Sequence, residues 1–475
     1  MSGAQPPVIV WFRRNLRLCD NVALARAVET GAPLLPLFID DEREEGAWPL
    51  GAASRWWLHQ SLEALAKELE LRGSRLIVQR GAARDVLLAL RRQCGARRVF
   101  YQRRYEPAAQ KMELRLADDL AEADIEIEAC AGSTLFLPEQ IQNGSGKPYQ
   151  VFTAFWKTCL KIGIDTELAP APTTLSAPEK WPASLDIGEL SLLPKIDWAR
   201  GMSASWQPGE CGAQRALEHF VREAVGRYEE GRDRPDQSLT SRLSPHLHFG
   251  ELSPRQVAAA LQGYGGGGAA SFLREVGWRE FARHSLCHFP HLDQRPLRPA
   301  FARFPWLEDA VGLAAWQRGQ TGYPLVDAGM RQLWHTGWMH NRVRMVAASF
   351  LLKDLLVDWR HGAEWFWDTL VDADLANNSL GWQWVAGCGA DAAPFFRIFN
   401  PVSQGEKFDA NGDYVRRWVP ELAQLPAKYI HAPWRAPAPV LRAAHIELGA
   451  NYPEPIIDHA FARDRALAAL AKTKS

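Results

Sequence analysis

Three short blocks of this 475-residue sequence carry side chains that could do chemistry. The first is Trp338-Met339-His340-Asn341-Arg342-Val343-Arg344-Met345. On a helix, Trp338, Asn341 and Met345 would share one face through spacings of three and four, with Arg344 near it. An amide and a guanidinium need partners if buried, so this face is odd for a core. The plain alternative is a helix lining a domain interface. The second block runs from Asp372 through Asp374, Asn377 and Asn378 to Trp382 and Trp384. A carboxylate there could hold the Arg344 guanidinium in place. Metal binding by Asp372 and Asp374 is disfavoured, because no His or Glu follows at ligand spacing. The third block is Thr240-Ser241-Arg242-Leu243-Ser244-Pro245. Clustered hydroxyls and backbone N–H groups ahead of a proline-marked turn suit a phosphate. Serine and threonine also cap helices everywhere, which is the plain reading of that block.

The elements that must position these blocks fall into two kinds. Residues 1–132 alternate short β-rich runs (Val8–Phe12, Pro33–Ile39, Arg75–Gln79, Arg97–Tyr101, Ile125–Ala129) with helical patterns such as Leu58, Ser61, Leu62, Leu65 and Leu69. This alternation predicts a doubly wound α/β domain with a parallel sheet. After the first run stands Arg13-Arg14-Asn15-Leu16-Arg17 rather than a glycine-rich turn, which argues against nicotinamide binding. Residues 133–212 read as a connector. From about Asp165 to Gly212 it is rich in Pro, Ser and Ala with little periodicity, as for a linker wrapped over a surface. Residues 213–475 predict an all-helical domain with helices over 213–228, 254–261, 269–289, 325–337, 339–359 and 363–370. Gly265–Gly268 reads as a flexible connection between helices.

Composition narrows the class. Lys+Arg and Asp+Glu both number 55, so the net charge is zero. That argues weakly against a nucleic-acid partner, although a local basic patch on a neutral protein still releases counterions from DNA. Nothing resembles a signal peptide, and the most apolar helical stretch, 345–357, is interrupted by Lys353 and Asp354. The seven cysteines form no CxxC pair, which argues against a zinc site and fits a reducing cytoplasm. Twenty tryptophans are several times the usual share. Most must pack the core, but indole also stacks on bases and flavins and can be oxidised.

Several motifs, taken in order, resemble the DNA photolyase/cryptochrome family. They are Val10-Trp11-Phe12-Arg13-Arg14-Asn15-Leu16-Arg17, Tyr228-Glu229-Glu230-Gly231-Arg232-Asp233, residues 240–244, Trp278-Arg279-Glu280-Phe281, Thr321-Gly322-Tyr323-Pro324, residues 337–344 and Arg397-Ile398-Phe399-Asn400-Pro401. The resemblance implies an α/β domain, a connector and a helical domain holding FAD. It implies light-driven repair of cyclobutane pyrimidine dimers in DNA, by electron injection from excited reduced FAD. It assigns Tyr228, Thr240, Ser241, Arg242, Leu243 and Ser244 to the FAD phosphates. Arg344 and Asp372 would lie beside the isoalloxazine, with Asp374 and Arg279 also on the cofactor and Asn378 facing N5.

On the same resemblance Trp278 and Trp384 stack on a flipped dimer, Glu275 and Asn341 hydrogen-bond the pyrimidine edges, and Met345 lies against the lesion. A desolvated Glu275 would have a raised pKa and act as a protonated donor. Trp382, Trp359 and Trp306 match an electron-transfer chain. Arg342, Arg397, Gln404 and Lys407 are candidates for the DNA backbone. Such contacts position the strand without reading sequence.

Asn341 occupies a site where (6-4) photolyases look for a second histidine, which favours cyclobutane repair. Retention of Trp278 and Trp384 argues against a cryptochrome-type photoreceptor, the alternative reading. Cryptochromes also carry C-terminal extensions, and this chain ends soon after the helical domain. Phe272 stands where several relatives have tryptophan. The run Asn377-Asn378-Ser379-Leu380 suggests a bacterial subgroup close to plant cryptochromes. A second, antenna chromophore is implied: methenyltetrahydrofolate is expected and a deazaflavin is the alternative. The expected state is a cytoplasmic monomer acting on dimer-containing DNA, with no membrane partner and no metal.

Overall fold

Val8–Phe12 is a run of five buried apolar residues. A strand buried on both faces reads in this way because helices cover a parallel sheet above and below. The computed structural model, which describes residues 5–392 and 396–473, places this strand at the centre of a five-stranded sheet. The strands are β1 (Val8–Phe12), β2 (Leu34–Asp40), β3 (Ile77–Arg80), β4 (Arg98–Gln102) and β5 (Glu126–Cys130). Their order is β3-β2-β1-β4-β5 and every pairing is parallel, with Val10 opposite Pro36 on one side and Phe100 on the other. Side chains alternate between two cores. Val8, Val10 and Phe12 pack on one face with Trp56, Trp57 and Leu62, while Ile9 and Trp11 pack on the other with Leu87 and Leu90. The doubly wound sheet expected from the sequence is therefore found, with strand ends shifted by one or two residues.

The connecting segment binds the sheet's edge rather than hanging free. Leu175 N–H donates to the Arg72 carbonyl, Leu34 N–H to the Ser176 carbonyl and Leu185 N–H to the Val78 carbonyl. Two helices, Phe152–Ile162 and Arg200–Ser205, interrupt it.

Beyond β5 no further strand occurs among the described residues, apart from an isolated bridge between Leu448 and Tyr452. The helices that position the three chemical blocks are Ser244–His248, Gly267–His288, Asn341–Ser349, Trp359–Thr369 and Leu375–Ala386. No helix among the described residues is long and apolar enough to cross a membrane.

Three expected elements differ. The helix expected over 339–359 runs only from Asn341 to Ser349. It widens into a five-residue π turn, Phe350–Asp354, and reverses at Leu356, whose φ is 56°. Trp359 opens the next helix, where Asp358 accepts the Arg360 N–H at 3.0 Å. The helix expected over 213–228 begins at Glu210 and passes through a π turn (Phe220–Ala224) and a 3-10 turn (Val225–Arg227) to Tyr228–Gly231. Half of the glycine run lies inside the Gly267–His288 helix, where a Cβ on Gly268 would overlap the Val225 carbonyl oxygen.

Candidate active site

The polar centre is built on Arg344 and Asp372. The guanidinium lies 2.9 Å from the Asp372 carboxylate, and Arg344 Nε donates to the Met339 carbonyl at 2.7 Å. Ser244 Oγ donates to the same carboxylate at 2.5 Å. Three blocks far apart in sequence therefore meet at one buried acid. The guanidinium matches the charge of Asp372, and the serine adds a second donor to it.

Asp374 is a cap with a second duty. Its Oδ1 accepts the backbone N–H of Asn377 at 2.9 Å, so it starts the Leu375–Ala386 helix. Its Oδ2 takes Arg283 Nη2 at 3.0 Å, with His248 Nδ1 at 3.8 Å. Burial opposes the charge, but Arg283 and His248 hold this carboxyl well below the usual carboxylate range. Four residues further along, the Asn378 side-chain Nδ2 donates to the Ala363 carbonyl at 3.0 Å.

Thr240, Ser241 and Arg242 are half-buried, Leu243 is buried, and Ser244 opens a short helix. Arg242 has φ 52° and stacks over Trp206 at 4.1 Å and Trp338 at 5.2 Å. Its Nε is buried and makes no hydrogen bond within the protein. Burial, with Arg417 nearby, pushes its pKa down to about 10. Tyr228 is buried against Phe220 and Phe272, with ring centroids at 5.6 and 5.2 Å. Phe272 thus fills a core beneath Tyr228. Arg279 is buried, donating to Glu280 at 3.1 Å and the Leu247 carbonyl at 3.2 Å.

Three further candidates are only partly covered by the protein. Trp278 is half-buried, and one of its faces stacks on Phe152 with centroids 3.9 Å apart and planes 9° apart. Trp384 is also half-buried, with the Arg397 guanidinium 5.4 Å over its ring. Asn341 is exposed, and its Nδ2 sits 4.0 Å from Met345 Sδ.

Two expectations fail here. Trp338 does not share the helix face of Asn341 and Met345, because the helix starts at Asn341 with His340 as its cap. Trp338 instead packs into the core beneath Arg242. Glu275 is not a desolvated acid either. It keeps about a quarter of its side chain exposed and forms an ion pair with Arg232 at 2.6 Å.

Trp382 is buried against Phe366, with centroids 5.0 Å apart, and fits a notch made by Gly362. Trp359, one helical turn before Gly362, is buried in the same core, and Trp306 lies half-buried at its edge. Leu307 N–H donates to the Leu356 carbonyl at 2.8 Å, which ties the Trp306 loop to the reversal preceding Trp359.

The surface cations separate into two kinds. Arg397 and Lys407 are exposed, and Gln404 is half-buried beside them. Arg342 is engaged: it pairs with Asp233 at 2.8 Å and lies 4.5 Å over Phe408.

Comparison with known proteins gives the family. The sequence profile of the DNA photolyase domain matches residues 8–176, and that of the FAD binding domain of DNA photolyase matches residues 272–472. A deoxyribodipyrimidine photo-lyase of Agrobacterium fabrum is 51% identical over 481 residues, covering 100% of this chain and 99% of the relative. The chain belongs to the DNA photolyase family.

Other photolyase-family members are similar along nearly the whole chain. A bacterial class III photolyase from Agrobacterium tumefaciens superposes with a TM-score of 0.96 at 49% identity, covering 100% of this chain and 99% of that one. Cryptochrome-1 of Arabidopsis thaliana is 42% identical over 96% of this chain and 69% of its own length.

The residues present fit the FAD of the family. The hydroxyls of Thr240 and Ser241, and the Arg242 Nε that lacks a protein partner, are donors suited to a diphosphate, while the Ser244 hydroxyl is already given to Asp372. Arg344, Asp372 and Asn378 offer both donors and acceptors, as the edge of a flavin ring requires. Gly381 lies on the exposed side of the Leu375–Ala386 helix, with no atom near where its Cβ would be, so a flat group can approach the backbone there.

Several positioning residues escape a reading of the sequence: Phe152 behind Trp278, Arg232 on Glu275, and Arg283 with His248 on Asp374. Arg232 lies within the Tyr228–Asp233 motif, which is a usable signal. Phe152 sits in the connector and offers none.

Proposed function

We propose that this chain is a light-dependent deoxyribodipyrimidine photo-lyase that repairs cyclobutane pyrimidine dimers in DNA. The observation that carries this reading is the meeting of Arg344, Asp372 and Ser244 at one centre in a chain of the photolyase family, in which Trp278 and Trp384 stay half-buried and Asn341 exposed. Reduced FAD, bound there and excited by blue light, supplies the electron that opens the cyclobutane ring and takes it back.

The chain's own residues do the rest. Thr240 to Ser244 hold the diphosphate, with Tyr228 packed behind them. Arg344, Asp372, Asp374 and Arg279 fix the cofactor's orientation. Trp278 and Trp384 stack on the extruded dimer; base flipping is the general solution for chemistry on a base within a duplex, and photolyases are themselves a known example of it. Stacking of this kind is worth about 1–3 kcal/mol per base. Asn341 and the Glu275 carboxylate meet the pyrimidine edges, with Glu275 accepting from a ring N–H while Arg232 holds it. Met345 closes the lesion side. Arg397, Gln404 and Lys407 take the backbone phosphates. Trp382, Trp359 and Trp306 carry electrons inward from the surface to restore the reduced cofactor. We read residues 1–132, 133–212 and 213–475 as antenna domain, connector and catalytic domain of a cytoplasmic monomer, with methenyltetrahydrofolate as the antenna.

Purified protein mixed with dimer-containing DNA should remove dimers in blue light and not in darkness. The likeness to Arabidopsis cryptochrome-1 supports a photoreceptor as the second reading. Flavin photoreduction without dimer loss would select it.

A further inference from the structure

We propose that the seam between the C-terminal edge of the sheet and the helical region binds one small monovalent anion of chloride size. A cavity of about 20 Å³ lies there, lined by Arg14, Arg17, Gln102, Ser133, His248 and Arg279 among others, with Glu106 as the one carboxylate in its wall. Arg14 Nη1, Arg17 Nε, Gln102 Oε1 and Ser133 Oγ are all buried and make no hydrogen bond within the protein. His248, whose Nε2 also lacks one, completes the wall. Arg17 is 1% exposed and Gln102 3%. Folded proteins pair nearly all such groups, so this many around one cavity marks a shared partner.

Charge identifies the partner. The Arg17 guanidinium donates only to backbone carbonyls: Asp20 at 2.7 Å, Gly250 at 2.9 Å and Gly132 at 3.4 Å. No carboxylate lies within ion-pair distance of it among the described residues; Asp20 and Glu210 act on it only from further off, and burial outweighs them and lowers its pKa. Arg279 is crowded as well: burial, then Arg283 beside it, pushes its pKa down to about 10. Arg14, Arg17 and Ser133 can all donate inward. The Gln102 side-chain amide makes no hydrogen bond that fixes which end faces the cavity, so its NH₂ can turn in too. The Glu106 carboxylate is already taken up by Arg104 at 3.1 Å, so the donors left over, with Arg17 among them, favour an anion over water, which needs acceptors as well. The volume admits a single water-sized or halide-sized particle and is too small for phosphate, sulfate or an organic ligand. The occupant would bridge Arg17 of the α/β region and Gln102 to the helical region beside His248, 3.8 Å from the Asp374 cap.

The test uses the FAD-loaded full chain. Crystals soaked in sodium bromide should show an anomalous peak between Arg17 and Gln102. In solution, replacing gluconate with chloride at fixed ionic strength should raise Tm by about 2–5 °C. The rise should vanish in Arg17→Gln and in Gln102→Leu; the second variant keeps the Arg17 hydrogen bonds should the first fail to fold. No bromide peak in the seam, or the same Tm in chloride and gluconate, overturns the proposal.

Discussion

Asn378 donates its side-chain Nδ2 to the Ala363 carbonyl at 3.0 Å, and a backbone carbonyl can only accept. The amide is therefore fixed one way round, with Oδ1 left as an acceptor. A reduced flavin carries a proton on N5, so the oxygen end is the one that would favour the reduced ring. Asn378→Ser withdraws that oxygen, because the shorter side chain places its hydroxyl elsewhere and lacks the amide N–H that fixes the group on the Ala363 carbonyl. Photoreduced flavin in the variant should reoxidise in air roughly 2–10 times faster, the factor one hydrogen bond supports. Equal reoxidation rates would remove Asn378 from this role.

Trp382 should be needed for reduction and dispensable for repair. Trp382→Phe keeps an aromatic ring in the Gly362 notch but raises the oxidation potential of the first relay. The variant should lose most of its flavin photoreduction, followed by absorbance under blue light with an external thiol. Dithionite-reduced variant should still repair dimers at close to the wild-type rate. Normal photoreduction in Trp382→Phe would exclude the chain.

Phe152 presses on the back of Trp278 with parallel rings. An aromatic pair of this kind contributes about 0.5–1.5 kcal/mol beyond its burial. Phe152→Ala should therefore loosen the Trp278 platform and weaken dimer binding about 2–10-fold. Repair per absorbed photon at saturating DNA should stay near wild type. A drop in that yield with unchanged affinity would mean that Phe152 does not act through Trp278.

The β1 strand was readable because a central parallel strand is a continuous apolar run, and Val8–Phe12 has no polar residue to blur it. The break before Trp359 was not, because Leu355, Leu356 and Val357 stay buried outside a helix and so continue the apolar pattern. The Arg344–Asp372 pair was legible from chemistry alone: a guanidinium on an apolar face needs an acid, and the second block supplied one. The Glu275–Arg232 and Phe152–Trp278 contacts are tertiary, and no periodicity reports which of many arginines or phenylalanines will arrive. The Glu275 expectation failed for that reason, since its environment depended on a partner that local sequence does not name.

Salt dependence should separate the cations. Each phosphate neutralised contributes about 0.9 to the slope of log K against log salt concentration. Arg397→Ala and Lys407→Ala should each lower that slope by about this amount in binding of dimer-containing duplex. Arg342→Ala should change it less, because its charge is already matched by Asp233. Equal slope losses for all three would show that Arg342 leaves Asp233 when DNA arrives.

The last prediction concerns acid stability. His284 is fully buried, with its Nε2 accepting the Tyr149 N–H at 3.0 Å and its Nδ1 3.1 Å from the Pro138 carbonyl. Only a neutral ring protonated on Nδ1 satisfies both contacts, and burial pushes its pKa down to about 4. Burial does the same to His340. An unfolded histidine takes up a proton near pH 6.5, whereas these two refuse it until about pH 4. Across that window the unfolded chain binds more protons, so stability falls as pH falls, by about 1.4 kcal/mol per pH unit for each histidine. Above the window the difference vanishes. Thermal unfolding at about pH 7 and pH 5 should therefore show a clear drop in Tm for the wild type. His284→Asn should start lower, having lost packing and one hydrogen bond, but should lose less on acidification. An identical pH dependence in the variant would mean that His284 is not held neutral.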